Sequence, residues 1–181
     1  MRSYTVEGIV IKRTNFGEAD RLVTLFTKSW GKMTVIARGV RKLASKRAGA
    51  LELFNEVKAQ IVQGRGQLDT LAEVEIGNTF PSWRHKLGRI TLAYQMCEAV
   101  DKLTADHQPH PQVYDILVTA LSQISGLGQN WKSKIESWLL EILVDLGFWP
   151  HDKEFTGDIV ELIEGISSRS YNSPKLLNKL K

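Results

Sequence analysis

The sequence predicts an α+β fold in which a small five-stranded β-barrel precedes an α-helical domain. Residues 1–79 contain five short runs in which apolar and polar side chains alternate, as they do in half-buried strands. After Pro81 the apolar residues recur at the spacing of helices instead. This change of period predicts two domains, residues 1–79 and residues 80–181.

The first three strands are predicted at residues 4–12, 21–27 and 33–38. β-branched residues are frequent in these runs, and such residues favour strands. Residues 15–18 (Asn-Phe-Gly-Glu) and 29–32 (Ser-Trp-Gly-Lys) supply the turn chemistry between them. We therefore expect short connections on either side of the second strand.

The fourth and fifth strands are predicted at residues 54–62 and 68–76, joined by a Gly-rich turn at residues 64–67. Five short strands with a long third connection and no intervening helix indicate a small closed barrel. The five-stranded OB-fold is the commonest such barrel and commonly binds single strands, and an SH3-like barrel is the structural alternative. One face of the fifth strand is expected to carry Leu68, Thr70, Ala72, Val74 and Ile76.

Apolar residues at helical spacing predict helices over residues 83–103, 112–124 and 132–146, and a further helix near residues 156–163. Gly147 follows the third of these at the position that commonly ends a helix. Ser173 followed by Pro174 predicts the N-cap and first residue of a last helix. The second domain is therefore expected to be a small helical bundle.

Composition narrows the functional class. Residues 1–79 hold 13 Lys and Arg against 8 Asp and Glu, a net charge of +5, whereas residues 80–181 hold 11 and 12. A polyanionic partner is thus expected for the first half. Cys97 is the only cysteine, and no apolar run approaches the roughly 20 residues of a membrane span. These features predict a cytoplasmic, soluble protein with no membrane partner.

A basic run in residues 38–47 is the strongest candidate binding site. It contains five cations and no carboxylate, and burial of unpaired charges is costly, so we expect a mobile loop facing water or a polyanion. About five phosphate contacts would give a log–log salt slope near −4. A solvated surface loop is the alternative, and Lys12 and Arg13 are second-rank candidates. The five predicted phosphate-binding residues are Arg38, Arg41, Lys42, Lys46 and Arg47.

Aromatic residues in the predicted turns are candidates for base stacking. Phe16 and Trp30 lie where a large apolar side chain has little core to enter, although each could fold back to plug a barrel end. Glu18 and Asp20 are expected to accept hydrogen bonds from turn amides or to pair with Arg21. No nucleotide-binding, nucleophile or metal-ligand motif is present, so we expect no catalysis, no small-molecule substrate, no cofactor and no metal.

Six short segments of the first half form an ordered set. They are Glu7–Arg13, Phe16–Arg21, Leu25–Thr27, Gly31, Ala37–Lys42 with Ser45, and Leu53–Phe54. This set resembles the RecO family of bacterial recombination mediators, and a chance match would not place the segments in this order and spacing. A weaker match follows in the helical half at Leu146–Pro150.

The resemblance implies an N-terminal OB-fold, a helical C-terminal domain, binding of single- and double-stranded DNA, and annealing of complementary strands. It also implies partnership with RecR and with the C-terminal tail of single-strand-binding protein (SSB), which together help load RecA. Many members carry a four-cysteine zinc site after the segment matching Leu146–Pro150, but here no cysteine follows Cys97. The sequence therefore resembles a short form of the family without the zinc-site cysteines.

The helical domain is expected to hold the protein-binding site. An acidic tail with an apolar end needs an apolar groove with a basic rim. Lys132 and Lys134 are the principal rim candidates, and Arg84, Lys86 and Arg89, which also flank helices, are the others. The rival interpretation is a protein-interaction adaptor whose basic barrel face binds acidic protein tails. A barrel that binds RNA is the third alternative.

Overall fold

The computed structural model describes residues 2–64, 66 and 68–175. The chain divides into two compact units. One is formed by Met1–Thr79 with Ala105–Pro111, and the other by Phe80–Thr104 with Gln112–Lys181. The segment Ala105–Pro111 thus belongs to the barrel unit, although it lies between two helices in sequence.

The first unit is a closed five-stranded barrel. Its strands are β1 (Ser3–Phe16), β2 (Asp20–Thr27), β3 (Gly31–Ala37), β4 (Glu56–Val62) and β5 (Asp69–Asn78). They follow the order β1-β2-β3-β5-β4, and β4 pairs with β1 to close the barrel. Among the described pairings, β3 with β5 is parallel and the rest are antiparallel. The unit is the OB-fold that the alternating runs predicted.

Apolar side chains from all five strands fill the barrel. The long first strand can contribute to both of its neighbours because it carries a bulge at Ile11, between Val10 and Lys12 in the pairing with β2. Two residues of the β3–β4 connection join the strand residues in this core. The core consists of Val6, Val10, Val23, Leu25, Met33, Val35, Ala37, Val40, Leu51, Val57, Ala59, Ile61 and Leu71.

The predicted face of β5 is only partly correct, because a second bulge interrupts the strand: Val74 packs against the barrel core, but on the other side of the bulge it is Leu71 that enters the core. Ile61 pairs with Leu71, but the preceding residue of β4, Gln60, pairs with Glu73, so Ala72 has no opposite residue. The extra residue changes the phase of the strand and buries Leu71 completely. The ends of the predicted face, Leu68 and Ile76, are exposed instead. A strict two-residue period cannot detect a single inserted residue.

The β3–β4 connection, residues 38–55, is anchored on the barrel, which corrects the expectation of a mobile basic loop. Val40 and Leu51 are fully buried. The side-chain amide of Asn55 donates to the carbonyls of Gly49 and Ala50, each at 3.0 Å. Its two apolar anchors hold the connection in place while its cations remain at the surface.

Helices form the second unit. Predicted and observed helices agree closely, except that the first begins later, because residues 81–83 form a 3₁₀ turn that ends at Trp83. No described helix is long and apolar enough to cross a bilayer. The helices are α1 (Leu87–Leu103), α2 (Pro111–Gln123), α3 (Trp131–Asp145) and α4 (Ile159–Ser167).

The end of α3 confirms the predicted role of Gly147. This residue adopts φ +77°, and its N–H donates to the carbonyl of Val144 at 3.0 Å. The N–H of Phe148 donates to the carbonyl of Leu143 at 2.8 Å. These two bonds form a Schellman motif, which satisfies carbonyls that the end of a helix leaves without donors.

In the described part of the helical unit, the buried side-chain nitrogen and oxygen atoms have hydrogen-bond partners. The Nε1 of Trp83 donates to the carbonyl of Leu121, and the hydroxyl of Tyr171 donates to the carbonyl of Gln95, both at 2.7 Å. Trp138 is buried, as its place on the apolar stripe predicted.

The predicted last helix is described only at its start. Residues 173–175 are helical, and its continuation lies outside the described residues. The carboxylate of Glu98 accepts the N–H groups of Asn172 and Ser173 at 3.0 and 2.8 Å. It thereby caps this helix from α1, which is a role that local sequence could not show.

Candidate nucleic-acid interface

An open groove of about 1000 Å³ lies between the β1–β2 turn and the basic run. Four of the five predicted phosphate-binding residues line it, together with the two acidic residues of the turn. The fifth, Arg41, does not line the groove and instead donates hydrogen bonds to the β1–β2 turn. The lining residues are Glu18, Ala19, Asp20, Arg38, Gly39, Lys42, Ala44, Ser45, Lys46 and Arg47.

Hydrogen bonds fix the two walls of the groove to each other. The carboxylate of Asp20 accepts from the N–H of Gly39 at 2.7 Å, so its partner is an amide of the opposite wall. Arg41 donates its backbone N–H to the carbonyl of Ala19 at 2.9 Å and its Nη1 to the carbonyl of Gly17 at 3.1 Å. The groove is therefore built before any ligand binds.

Three cations of the basic run remain available to a ligand. The side chains of Arg38, Lys42 and Lys46 are exposed and line the groove. With the other described residues, these three side chains form neither a hydrogen bond nor an ion pair. An anion that enters the groove therefore meets three cations that have no direct ion-pair partner among the described residues, although Glu18 and Asp20 also line the groove.

Arg47 is placed differently from the prediction. Its Nη1 donates to the carbonyls of Leu71 and Ala72 at 3.1 and 3.2 Å, and its Nη2 donates to the carbonyl of Arg38 at 2.6 Å. Three of its five N–H donors are thus engaged within the barrel unit. Carbonyls leave the positive charge in place, so Arg47 still contributes to the potential of the groove.

The second-rank candidates lie outside this groove. Arg13 forms an ion pair with Glu52, with 2.5 Å between Nη1 and Oε1. Its charge is therefore largely neutralised by the protein itself. Lys12 is exposed on β1, but it does not line the groove.

Phe16 and Trp30 lie at opposite ends of β2. Phe16 pairs with Asp20, so it lies at the groove end, and its side chain is 49% exposed. Trp30 follows the far end of β2, roughly 25 Å away along an eight-residue strand. Its ring stacks on Tyr4 with 4.8 Å between centroids, yet it is 46% exposed. Both rings are about half exposed, and their separation along β2 means that the two cannot stack adjacent bases.

The predicted rim residues of the helical unit have different surroundings. Lys132 lines a groove of about 520 Å³ between α1, α3 and α4, which also contains Glu136 and Asp158. Lys134 lies outside this groove, with its Nζ 5.1 Å from the ring centroid of Trp138. The structure therefore does not bring the two lysines together on one rim.

A smaller hollow of about 290 Å³ brings together two of the other rim candidates. Lys86 and Arg89 line it together with Leu92 and Trp131, and no carboxylate is among the described lining residues. It combines an apolar floor with two cations. Lys86 and Arg89 lie one helical turn apart at the start of α1, which places them on the same side of the helix.

No cluster of three or more His, Cys, Asp or Glu residues in the described part of the chain could hold a metal ion. Cys97 is fully buried, and burial raises the pKa of its thiol well above the usual value. A thiol in such surroundings stays protonated and unreactive.

Comparisons with known proteins agree across the two units. Residues 1–80 match the family model "Recombination protein O N terminal", and residues 84–152 match "Recombination protein O C terminal". A protein of Symbiobacterium thermophilum named DNA repair protein RecO is 38% identical over 150 residues, which cover 83% of this chain and 59% of that protein.

Two further relatives carry the same name. The protein of Listeria monocytogenes serotype 4a is 33% identical over 144 residues, covering 80% of this chain and 56% of the relative. That of Myxococcus xanthus is 36% identical over 126 residues, covering 70% and 52%. The chain thus spans between half and three fifths of the length of these relatives.

Proposed function

Since this chain belongs to the RecO family of DNA repair proteins, we propose that it binds DNA during recombinational repair. One observation carries the proposal. Arg38, Lys42 and Lys46 have no direct ion-pair partner among the described residues, and they line a groove whose two walls are joined by hydrogen bonds. Contacts between such cations and phosphates release condensed counterions, which favours binding of DNA.

The groove suits annealing of complementary strands without an active site. Its cations reduce the repulsion between two phosphate backbones while bases pair. Phe16 at the groove end offers an exposed ring on which a single-stranded base can stack. A duplex keeps its bases stacked within itself, so it would use the cations alone. We therefore propose binding of single- and double-stranded DNA, with tighter binding to single strands.

Partners are proposed for the helical unit. The family resemblance supports binding of RecR and of the acidic SSB tail, and a role in loading RecA. The groove that contains Lys132 remains the proposed binding site for the SSB tail, although the carboxylates of Glu136 and Asp158 also line it. The hollow with Lys86 and Arg89 is a second site that fits an acidic, apolar-ended peptide.

The test compares wild type with a variant in which Arg38, Lys42 and Lys46 are all Ala. We expect binding to oligonucleotides of arbitrary sequence to weaken, and the log–log salt slope on single strands to fall in magnitude by about 2. Annealing of complementary strands should slow in parallel. The matched control removes three exposed cations outside the groove: Lys28, Lys58 and Arg169.

Equal affinity and slope in the wild type and the groove variant would reject the proposal. Competition by an acidic peptide, with no salt-dependent oligonucleotide binding, would instead favour the adaptor interpretation. Competition between DNA and RNA of the same sequence shows which of the two nucleic acids the chain prefers.

A further inference from the structure

We propose that Arg47 is a positioning residue, which holds the DNA-binding cations in place by closing a gap in the barrel, and is not itself a phosphate ligand. This inference rests on the proposed function. It departs from the sequence prediction, in which Arg47 was one of five equivalent phosphate contacts.

The gap lies where β3 leaves β5. Their parallel ladder is short, and its last pair is Ile36 with Thr70. Beyond that pair β5 continues, whereas β3 ends at Ala37 and the chain turns into the basic run. The edge of β5 that follows Thr70 therefore has no strand beside it on the β3 side.

Arg47 occupies that edge. The next two carbonyls of β5 belong to Leu71 and Ala72, and both accept from Nη1 of Arg47. Ala72 is also the bulge residue, which has no opposite residue on β4. A buried backbone carbonyl without a hydrogen-bond donor costs free energy, and β3 ends too early to supply donors to these two carbonyls. The guanidinium of Arg47 supplies the N–H donors instead.

The same guanidinium fixes the start of the basic run. Its Nη2 donates to the carbonyl of Arg38, the first residue after β3. Residues 38 and 47 are thus tied together, and the segment between them becomes a closed arc. Lys42 and Lys46 project from this arc into the groove.

Only Arg fits this task. Three carbonyls are bound by two nitrogens of one planar fork, with distances of 3.1, 3.2 and 2.6 Å. A Lys ammonium carries the same charge but cannot spread donors over two positions in this way. Substitution by Lys therefore separates the geometry of Arg47 from its charge.

The experiment measures single-strand affinity and its salt slope for wild type, Arg47→Lys and Arg47→Met, each at a temperature well below its unfolding midpoint. We expect both variants to lose about tenfold in affinity, since DNA must then order the arc itself. The salt slope of Arg47→Lys should stay within about 0.3 of wild type, because neither a phosphate contact nor a charge is removed. Arg47→Met also removes one positive charge from the groove, and it should lower the magnitude of the slope by less than the roughly 0.7 of one phosphate contact.

Hydrogen exchange provides the local readout. Amides of residues 39–46 should exchange faster in both variants, while amides of the β1–β4 ladder keep their wild-type rates. A direct phosphate contact predicts a different pattern. In that case Arg47→Lys would retain most of the affinity, and Arg47→Met would reduce the slope by about 0.7. That result overturns the proposal.

A second test uses the wild-type protein and therefore does not require any variant to fold. The Arg47 guanidinium should show hindered rotation about its Nε–Cζ bond by NMR in the absence of DNA. Free rotation that becomes hindered only when DNA binds would overturn the proposal.

The groove variant with Arg38, Lys42 and Lys46 changed to Ala is measured in parallel. If that variant loses affinity and slope while both Arg47 variants bind as wild type, the positioning role fails and the DNA-binding function stands. If none of the three variants changes binding, the proposed function itself fails.

Discussion

The carboxylate of Asp20 accepts a 2.7 Å hydrogen bond from the backbone N–H of Gly39. This bond joins the start of β2 to the second residue of the basic run, across 19 positions of sequence. The amide donor is neutral, so Asp20 keeps its negative charge, and Glu18 adds a second carboxylate to the lining of the groove. The groove stays positive because its described lining has four cations, Arg38, Lys42, Lys46 and Arg47, against these two carboxylates.

Asp20→Ala should destabilise the barrel unit by about 1.5 kcal/mol, because the Gly39 N–H loses a charged acceptor. Asp20→Asn keeps an oxygen acceptor and should cost less than half as much. Urea unfolding of the two variants measures the difference. Equal losses in both would mean that charge, and not the hydrogen bond, is what Asp20 supplies.

Gly39→Ala should cost about 1 kcal/mol through backbone strain alone. Gly39 has φ +66°, and an added Cβ would meet only the Lys42 side chain, at 3.8 Å. Gly49→Ala is the matched control, since Gly49 lies in the same connection with open space around it and no positive φ. Thermal unfolding should show a lower midpoint for the first variant and an equal or higher one for the second.

Phe16→Ala should weaken single-strand binding by about 1–3 kcal/mol per stacked base and leave duplex binding nearly unchanged. Trp30→Ala should instead lower stability, by about 1 kcal/mol, since it removes the stack on Tyr4. Fluorescence anisotropy with single- and double-stranded oligonucleotides separates these effects. A larger loss of single-strand affinity in Trp30→Ala than in Phe16→Ala would place the bases at the other end of β2.

Lys132→Glu should weaken binding of an acidic, apolar-ended SSB-tail peptide several-fold and spare DNA binding. Lys134→Glu should have a smaller effect on the peptide, since its ammonium lies over the Trp138 ring and outside the groove. Titration with labelled peptide measures both. If Lys86→Glu abolishes peptide binding whereas Lys132→Glu and Lys134→Glu do not, the peptide binds in the smaller hollow and not in the groove of Lys132.

Stability should fall as the pH rises above about 10, the usual pKa of Tyr. Burial raises the pKa of Tyr171 well above that value, so the unfolded chain releases the proton first. The stabilisation is complete below pH 10 and is lost as pH approaches the folded-state pKa. Urea midpoints of Tyr171→Phe should decline less steeply with pH than those of wild type.

At neutral pH, Tyr171→Phe should already be less stable by about 1 kcal/mol, because the Gln95 carbonyl loses its donor. Burial also raises the pKa of Cys97, so the variant keeps part of the decline. Identical slopes above pH 10 in both proteins would show that Tyr171 ionises as easily in the folded state as in the unfolded chain.

Local pattern predicted most elements because strands and helices obey fixed periods. The end of α3 at Gly147 and the burial of Trp138 followed from residue types and spacing alone. The same spacing predicted the face of β5 only in part. The bulge at Ala72 inserts one residue, and a strict two-residue alternation does not allow for it. The anchoring of the β3–β4 connection also escaped prediction, since Val40 and Leu51 find their core only once the barrel closes.

Sequence by itself determined the barrel, the helical unit and the concentration of positive charge in residues 38–47. Tertiary structure alone decided which cations of the barrel unit have protein partners. Arg13 meets Glu52, and Arg47 meets two carbonyls of β5 and that of Arg38, whereas the side chains of Arg38, Lys42 and Lys46 meet no described partner. The physical reason is that the sequence determines where each charge lies along the chain, but folding decides which groups are brought close enough to bind it.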